Sequence, residues 1–417
     1  MPAARLPHRH ANAHRARLVP GLLLTGIAIA GLGLAACGSS TSSAPTSATA
    51  PAEGAAVKIG MIYPRTGPLS AFGDEYRKGF EAGLAYVTHG TGKLGDTNIE
   101  VTWQDSAGNP SQAVAEAKTL IGKGYTILAG PSDSAVALQV AAVAAQNKVL
   151  FISGPAAVDQ LSGINRYTFH SGRQTWQDVK TAAAIMGSPA GKSVMVFAQD
   201  YAFGQANLAA IKAVLGGAGA NVSGLLVPLS TTDFTPFAQK ITNAHPDMLF
   251  VAWAGASMYP MWNTLDQQGI FDRTTVVTGL GNVASYGAYG PATTKLAFLA
   301  HYFPDAPDNA VNTTMKELIS KAGGTPDLFS PDGFVAAQMI AHAVDAAHGD
   351  RNVDAMIAAL EGWAFDAPKG RQTIRKADHA MLQPEYIARL VPHGKDHVPE
   401  RVKTVSAEAI APPVATQ

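Results

Sequence analysis

The amino-acid sequence predicts an α/β protein with two doubly wound lobes. Three observations carry this. From Val57 onward, short apolar strands alternate with amphipathic helices, the pattern of a mostly parallel sheet covered on both faces. After Arg166–Ser171 a second series of the same kind begins. The length of 417 residues, less a leader, suits two domains.

The leader comes first. Arg5, Arg9, Arg15 and Arg17 give a basic start, and Leu18 to Leu34 is a short apolar run with Gly and Ala. This is the layout of a secretory signal. The run is marginal for a membrane span, which needs about 20 apolar residues. Leu34-Ala35-Ala36-Cys37 closes it, and a Cys at this place resembles the bacterial lipoprotein box, which implies that Cys37 is lipidated and becomes the new N-terminus. Cys37 is the only Cys, so no internal disulfide is expected. Gly38 to Ala56, rich in Ser, Thr, Ala and Pro, reads as a flexible tether spanning on the order of 25 Å. The leader holds four of the 31 Lys+Arg and none of the 31 Asp+Glu, so the rest of the chain is acidic by four. That lacks the basic footprint of a nucleic-acid partner.

The folded part opens with Val57–Tyr63, an alternating strand. Pro64, Gly67 and Pro68 break it into a loop. A helix follows through Phe80, Leu84 and Val87, with Asp74 and Glu75 expected in its first turn, where the helix dipole favours them. Loops at the carboxyl ends of strands are where such sheets bind ligands. Phe72 is the one large side chain of this loop expected to be left unburied by packing. Either it meets a ligand or it packs onto its own helix. Strands follow at Asn98–Gln104, Tyr125–Leu128 and Val149–Ile152, with helices at Pro110–Lys123 and Ser132–Gln146 between them. In the second series, strands are expected at Ser193–Ala198, Asn221–Pro228, Met248–Ala252, Thr274–Thr278 and Leu296–Phe303, with helices interleaved. Asp332–His348 and Val353–Leu360 are helical, Trp363 onward suggests a hairpin, and Tyr386–Val391 is a final strand.

Four stretches carry a resemblance. They are TGPLSAFGDE, Asp105–Gly124, Gly130–Ser153 and Thr232–Gly255. In order, spacing and residue type they resemble the branched-chain amino-acid-type (Leu/Ile/Val-binding) periplasmic binding proteins, the solute receptors of ABC importers. The likeness runs from Val57 to about Val391. It implies the type I periplasmic binding protein fold, with three crossover strands as a hinge. Lobe 1 would be 57–170 and 301–364, lobe 2 would be 171–300 and 365–391, and 392–417 would be a C-terminal tail.

The resemblance also implies a site. Ser132, Asp133 and Ser134 open a helix after a strand, where free N–H groups suit an anion such as a carboxylate; a plain helix cap explains the same residues. The family's ligand-gripping Ser matches Ser134. Ala156 matches a backbone contact, and Ala157 stands where the family usually has a hydroxyl. Phe203, in the loop Asp200–Gly204, replaces a ligand-facing Tyr, though strand-end aromatics are often simply core. Trp253–Ser257, with Gly255, matches a further cleft loop. Around Gly281 the amino-acid binders carry a Glu for the ligand ammonium; here the neighbours are Gly279 and Asn282. An unpaired buried ammonium costs several kcal/mol, so either Asp200 or another acid substitutes, or the ligand lacks that group.

No enzyme motif holds. Gly187–Ser193 is one residue short of a P-loop and precedes its strand, where a P-loop follows one. His301, His342, His348, His379, His393 and His397 show no metal-ligand spacing with acids. No enzymatic activity, cofactor or metal is expected. The implied partners are a small-molecule ligand, ABC permease subunits and a membrane reached through the lipid anchor alone, on the outer face of a bacterial cell. A lipoprotein that senses its ligand without transport is the competing reading; the neighbouring genes separate the two.

Overall fold

A computed structural model describes residues 56–415. The leader, Cys37 and all of the tether except Ala56 lie outside the described residues.

The first sheet is built from β1 (Val57–Tyr63), α1 (Ser70–Val87), β2 (Lys93–Leu94), β3 (Thr97–Asp105), α2 (Pro110–Gly122), β4 (Ile127–Gly130), α3 (Ser134–Asn147), β5 (Leu150–Ser153) and β6 (Thr168–His170). Its strand order is β2-β3-β1-β4-β5-β6, parallel except for the short β2. β4 and β5 are buried at every residue, as central parallel strands with helices on both faces must be.

The chain then enters the second lobe with α4 (Thr175–Met186), β7 (Ser193–Gln199), α5 (Ala202–Ile211), β8 (Asn221–Val227), α6 (Thr235–Ala244), β9 (Met248–Ala252), α7 (Met258–Gln267), β10 (Thr275–Gly279) and β11 (Ala297–Ala300). It returns to the first lobe with α8 (Ala310–Lys321), α9 (Ser330–Ala346) and α10 (Val353–Leu360), and with a small antiparallel sheet of β12 (Ala364–Ala367), β13 (Gly370–Ile374) and β14 (Met381–Leu382). Finally β15 (Glu385–His393) and β16 (Asp396–Val405) complete the second sheet, whose order is β16-β15-β11-β10-β9-β7-β8. Each sheet has a buried apolar layer on both faces. The architecture is the two doubly wound lobes read from the sequence, connected three times, at 171–174, 301–309 and 383–384.

Several expectations are corrected. α1 starts at Ser70, so Asp74 and Glu75 fall in its second turn and not its first. Asp74 instead pairs along the helix with Arg77 and Lys78, at 2.9 and 2.6 Å. The lobe boundary at 364/365 moves to 383–384, because Phe365, Ala367, Ile374 and Met381 join the first lobe's core beside Val57 and Ile59. The stretch 392–417 is no simple tail. β16 pairs along the whole of β15, and Arg375 then holds the carbonyls of Pro412 and Pro413 at 2.7 and 3.1 Å. α8 was not foreseen: its stripe of Val311, Met315, Leu318 and Ile319 has helical spacing, but polar residues fill the remainder.

Candidate functional site

A cavity of about 100 Å³ lies between the lobes, at the carboxyl ends of both sheets. The first lobe contributes Leu69, Phe72, Ser132, Asp133, Ser134, Pro155 and Ala157; Leu328 and Phe329, from the loop before α9, stand beside them. The second lobe contributes Tyr201, Phe203, Asn207, the run Phe250–Ala254 and Gly279–Gly281. The crossovers add Arg173 and His301, and Asp178 of α4 stands behind them.

Local structure places each group. The loop after β1 is pinned by Asp105, whose Oδ1 accepts from the Arg65 and Thr66 N–H at 3.0 and 3.2 Å while Oδ2 accepts from the Thr66 hydroxyl at 2.7 Å. That sets the start of α1 and brings Phe72 edge-on to Phe329, with ring centroids 5.0 Å apart. Gly130 ends β4 with φ +92°, and a Cβ there would sit 2.0 Å from the Ile62 carbonyl oxygen, so only glycine lets the chain turn into α3. Asp133 then caps α3 by accepting from the Val136 N–H at 3.0 Å. The buried Ser132 hydroxyl has no partner among the described residues. Across the cleft, Trp253 packs edge-on against Phe234 at 5.4 Å and tilted against Phe197 at 5.1 Å, and donates its indole N–H to Ser257 at 3.0 Å.

Six of the eight residues singled out in the sequence stand on the cavity wall: Phe72, Ser132, Ser134, Ala157, Phe203 and Gly281. Ala156 does not; it is buried in the layer beneath α3. Gly255 does not either. It sits at the lip with φ +83°, where a Cβ would approach the Pro68 carbonyl oxygen to 3.3 Å, so it belongs to the contact between the lobes. Asp200 is exposed, takes a hydrogen bond from Gln205 at 2.9 Å and stays off the wall, so it is not the missing ammonium partner. The two acids on the wall are both engaged, Asp133 by its helix and Asp178 by Arg173 at 3.3 Å. Asn282 has a different use from the family's Glu: it donates to Glu75 of the opposite lobe at 2.7 Å.

Arg173, Asp178, His301 and Phe329 were missed. The signal for Arg173 was present, a charged residue in the turn that leaves the first sheet. His301 directly follows the return strand β11. Its Nδ1 accepts from Lys369 at 3.0 Å and its Nε2–H donates to Asp332 at 2.8 Å. Burial holds its pKa well below the ordinary range, so it is a neutral relay and not half of an ion pair. Burial also pushes Asp332 up to about 7 and Lys369 down to about 8. These groups, with Asp178 and Glu385, form one buried cluster that touches all three crossovers. No group of His, Cys, Asp and Glu able to hold a metal occurs among the described residues.

The site is suited to binding: an apolar, largely aromatic slot with hydrogen-bond donors on its wall, set in the seam between two lobes. A family model described as periplasmic binding protein matches residues 56–396. A Leu/Ile/Val-binding protein of Rhizobium johnstonii is 25% identical over 326 residues, 75% of this chain and 86% of that protein. A crystal structure of an ABC-type branched-chain amino acid transporter from Rhodopseudomonas palustris superposes with a TM-score of 0.73 at 33% identity, covering 87% of this chain and 100% of that one. An ABC transporter solute binding protein from the same species, in complex with 4-hydroxybenzoate, shares the fold with a TM-score of 0.77 at 22% identity, over 84% of this chain and 97% of its own. The chain belongs to the periplasmic binding protein family and is a substrate-binding protein of the ABC-transporter type.

Proposed function

We propose that this protein is the extracytoplasmic receptor of an ABC importer. It is anchored to the outer face of the cell membrane through a lipid on Cys37, closes its lobes on one small ligand and delivers it to a permease. Within the class of amino acids, amides and carboxylates, the site favours a carboxylate on an apolar body that carries no ammonium. One observation carries this preference: Asp178 is paired with Arg173 and Asp133 caps its own helix through Oδ1, whereas the α3 N-terminus and the Ser132 hydroxyl still offer donors. The similar proteins fit the same chemistry. Leucine, isoleucine, valine and 4-hydroxybenzoate all join a carboxylate to an apolar body.

A thermal-shift screen tests this. Amino acids, their deaminated analogues, the matching amides and aromatic acids are compared. A ligand at 100 times its Kd adds about 2.7 kcal/mol of apparent stability. Stabilisation by acids over amino acids is expected; micromolar leucine binding with an inert deaminated analogue refutes the preference. For the anchor, Cys37→Ser is expected to leave the membrane fraction or stall in processing, and a processed, membrane-bound variant disproves it.

A further inference from the structure

The guanidinium of Arg173 is poorly explained as a structural group. Its side chain is 11% exposed and enters from the first crossover. Nη1 donates to the Pro155 carbonyl at 2.7 Å, and Nε meets Asp178 at 3.3 Å. Nη2 has no acceptor among the described residues, yet its side chain forms part of the cavity wall. A buried Arg kept only for stability normally grips a carboxylate with two parallel hydrogen bonds. Here Asp178 takes the Nε edge alone, and the far edge is left for something else. With no acceptor in the protein, that edge is open to the cavity and not sealed in the core, so a ligand can supply one.

Its surroundings point the same way. The Phe329 ring lies beneath the guanidinium, its centroid 5.5 Å from the guanidinium carbon. Among the described residues no other Lys or Arg lines the cavity; Lys369 is turned to His301, which is itself neutral. Ser132, with its unpartnered hydroxyl, stands on the same wall. Phe72 and Phe203 supply apolar surface for the remainder of a ligand.

We propose that Arg173 is the specificity-determining residue of this site: its free Nη2 edge binds the ligand carboxylate, and Asp178 holds the guanidinium in the orientation that presents that edge. This rests on the receptor reading above and deepens it. It also accounts for the position of Arg173, since a ligand gripped by a crossover is gripped at the hinge itself.

The test uses isosteric pairs on the whole mature protein: benzoate against benzamide, and 4-methylpentanoate against 4-methylpentanamide, with Kd measured by calorimetry. The wild type is expected to prefer each acid strongly. Arg173→Met is expected to lose at least about 30-fold in acid affinity, the scale for removing one partner of a buried charge pair. Amide affinity should stay within about threefold, since the amide has no charge for Arg173 to meet. Arg173→Lys keeps the charge without the planar fork, so it should fall between the two. A merely structural Arg173 would shift acids and amides together, so the acid-to-amide ratio is the decisive readout. An unchanged ratio in Arg173→Met overturns the assignment while leaving the receptor reading intact. If the Met variant does not fold, the Lys variant and the wild-type ratio decide; a wild type that binds acids and amides alike overturns the assignment by itself. A wild type that binds leucine and no acid removes both the assignment and the ligand preference.

Discussion

At the scale of single residues, Gly281 is held by a tight fit on the cavity wall. Gly281 donates its N–H to the Tyr289 hydroxyl at 3.0 Å, and a Cβ there would lie 2.2 Å from the Ser285 hydroxyl oxygen. Gly281→Ala is therefore expected to destabilise the protein by about 1–3 kcal/mol, the range for overpacking a tight site; urea unfolding measures it, and an unchanged midpoint would show that the loop yields freely. Residues of this kind were legible, because a motif fixes its own backbone: Ser132 and Ala157 sit in loops that each follow one strand, and Phe72, Ser134 and Phe203 sit in the first turn of the helix after such a loop. Arg173, His301 and Phe329 were not legible as a set. They come from three distant segments that meet only where the lobes join, and no local spacing encodes that meeting. Ala156 and Ala157 show the limit from the other side: the motif located the turn, but which of two adjacent alanines faces the cavity is a matter of backbone direction.

At the scale of elements, α1 and the loops after β10 and before α9 form a latch across the cleft. Asn282 donates to Glu75 Oε1 at 2.7 Å, and the Phe329 N–H donates to its Oε2 at 3.3 Å. Beside them the Val283 N–H meets both oxygens of Asp327, at 3.2 and 3.1 Å. Two of these contacts join the lobes without touching the cavity, so they stabilise closure whatever the ligand is. Asn282→Ala removes one and is expected to weaken ligand binding roughly tenfold, the value of one hydrogen bond to a partly charged group. The loss should be equal for every ligand, since the latch does not read the ligand. A loss confined to one ligand would place Asn282 in the binding site instead. The elements themselves were legible from periodicity. Their assignment to lobes was not, because β12 to β14 carry the same alternation whichever core they cover; only packing of Phe365 and Ile374 against the first lobe decides it.

At the scale of the whole molecule, the buried ionisable groups give stability a pH dependence whose sign can be worked out. Burial pushes Glu75 up to about 8, with Asp327 and Asp74 adding repulsion against the hydrogen bonds from Asn282 and Phe329. Tyr286, which faces both Glu75 and Asp327, stays neutral because burial raises it too, and Lys78 offsets Asp327. Burial likewise pushes Asp159 and Asp332 up to about 7. For an acid whose folded pKa is raised, the stability contribution is full below the unfolded pKa and is lost as pH rises through the folded one. His170, pushed down to about 4 by burial, acts oppositely: its contribution is full above about 6.5 and is lost as pH falls below that. His301 shares that direction. Between about 4.5 and 6.5 the two sets oppose one another. Lys369, held at about 8 against its ordinary 10.5, changes stability only above that lower value. From about 6.5 to 8 the raised carboxyls act alone, so unfolding free energy is expected to fall across that interval. Urea titrations of the ligand-free protein at both ends measure it, and Glu75→Gln should flatten the slope, since the amide has no proton to lose. Equal or greater stability at pH 8 would mean that these carboxyls are hydrated in solution, and that the lobes of the free protein spend most of their time apart.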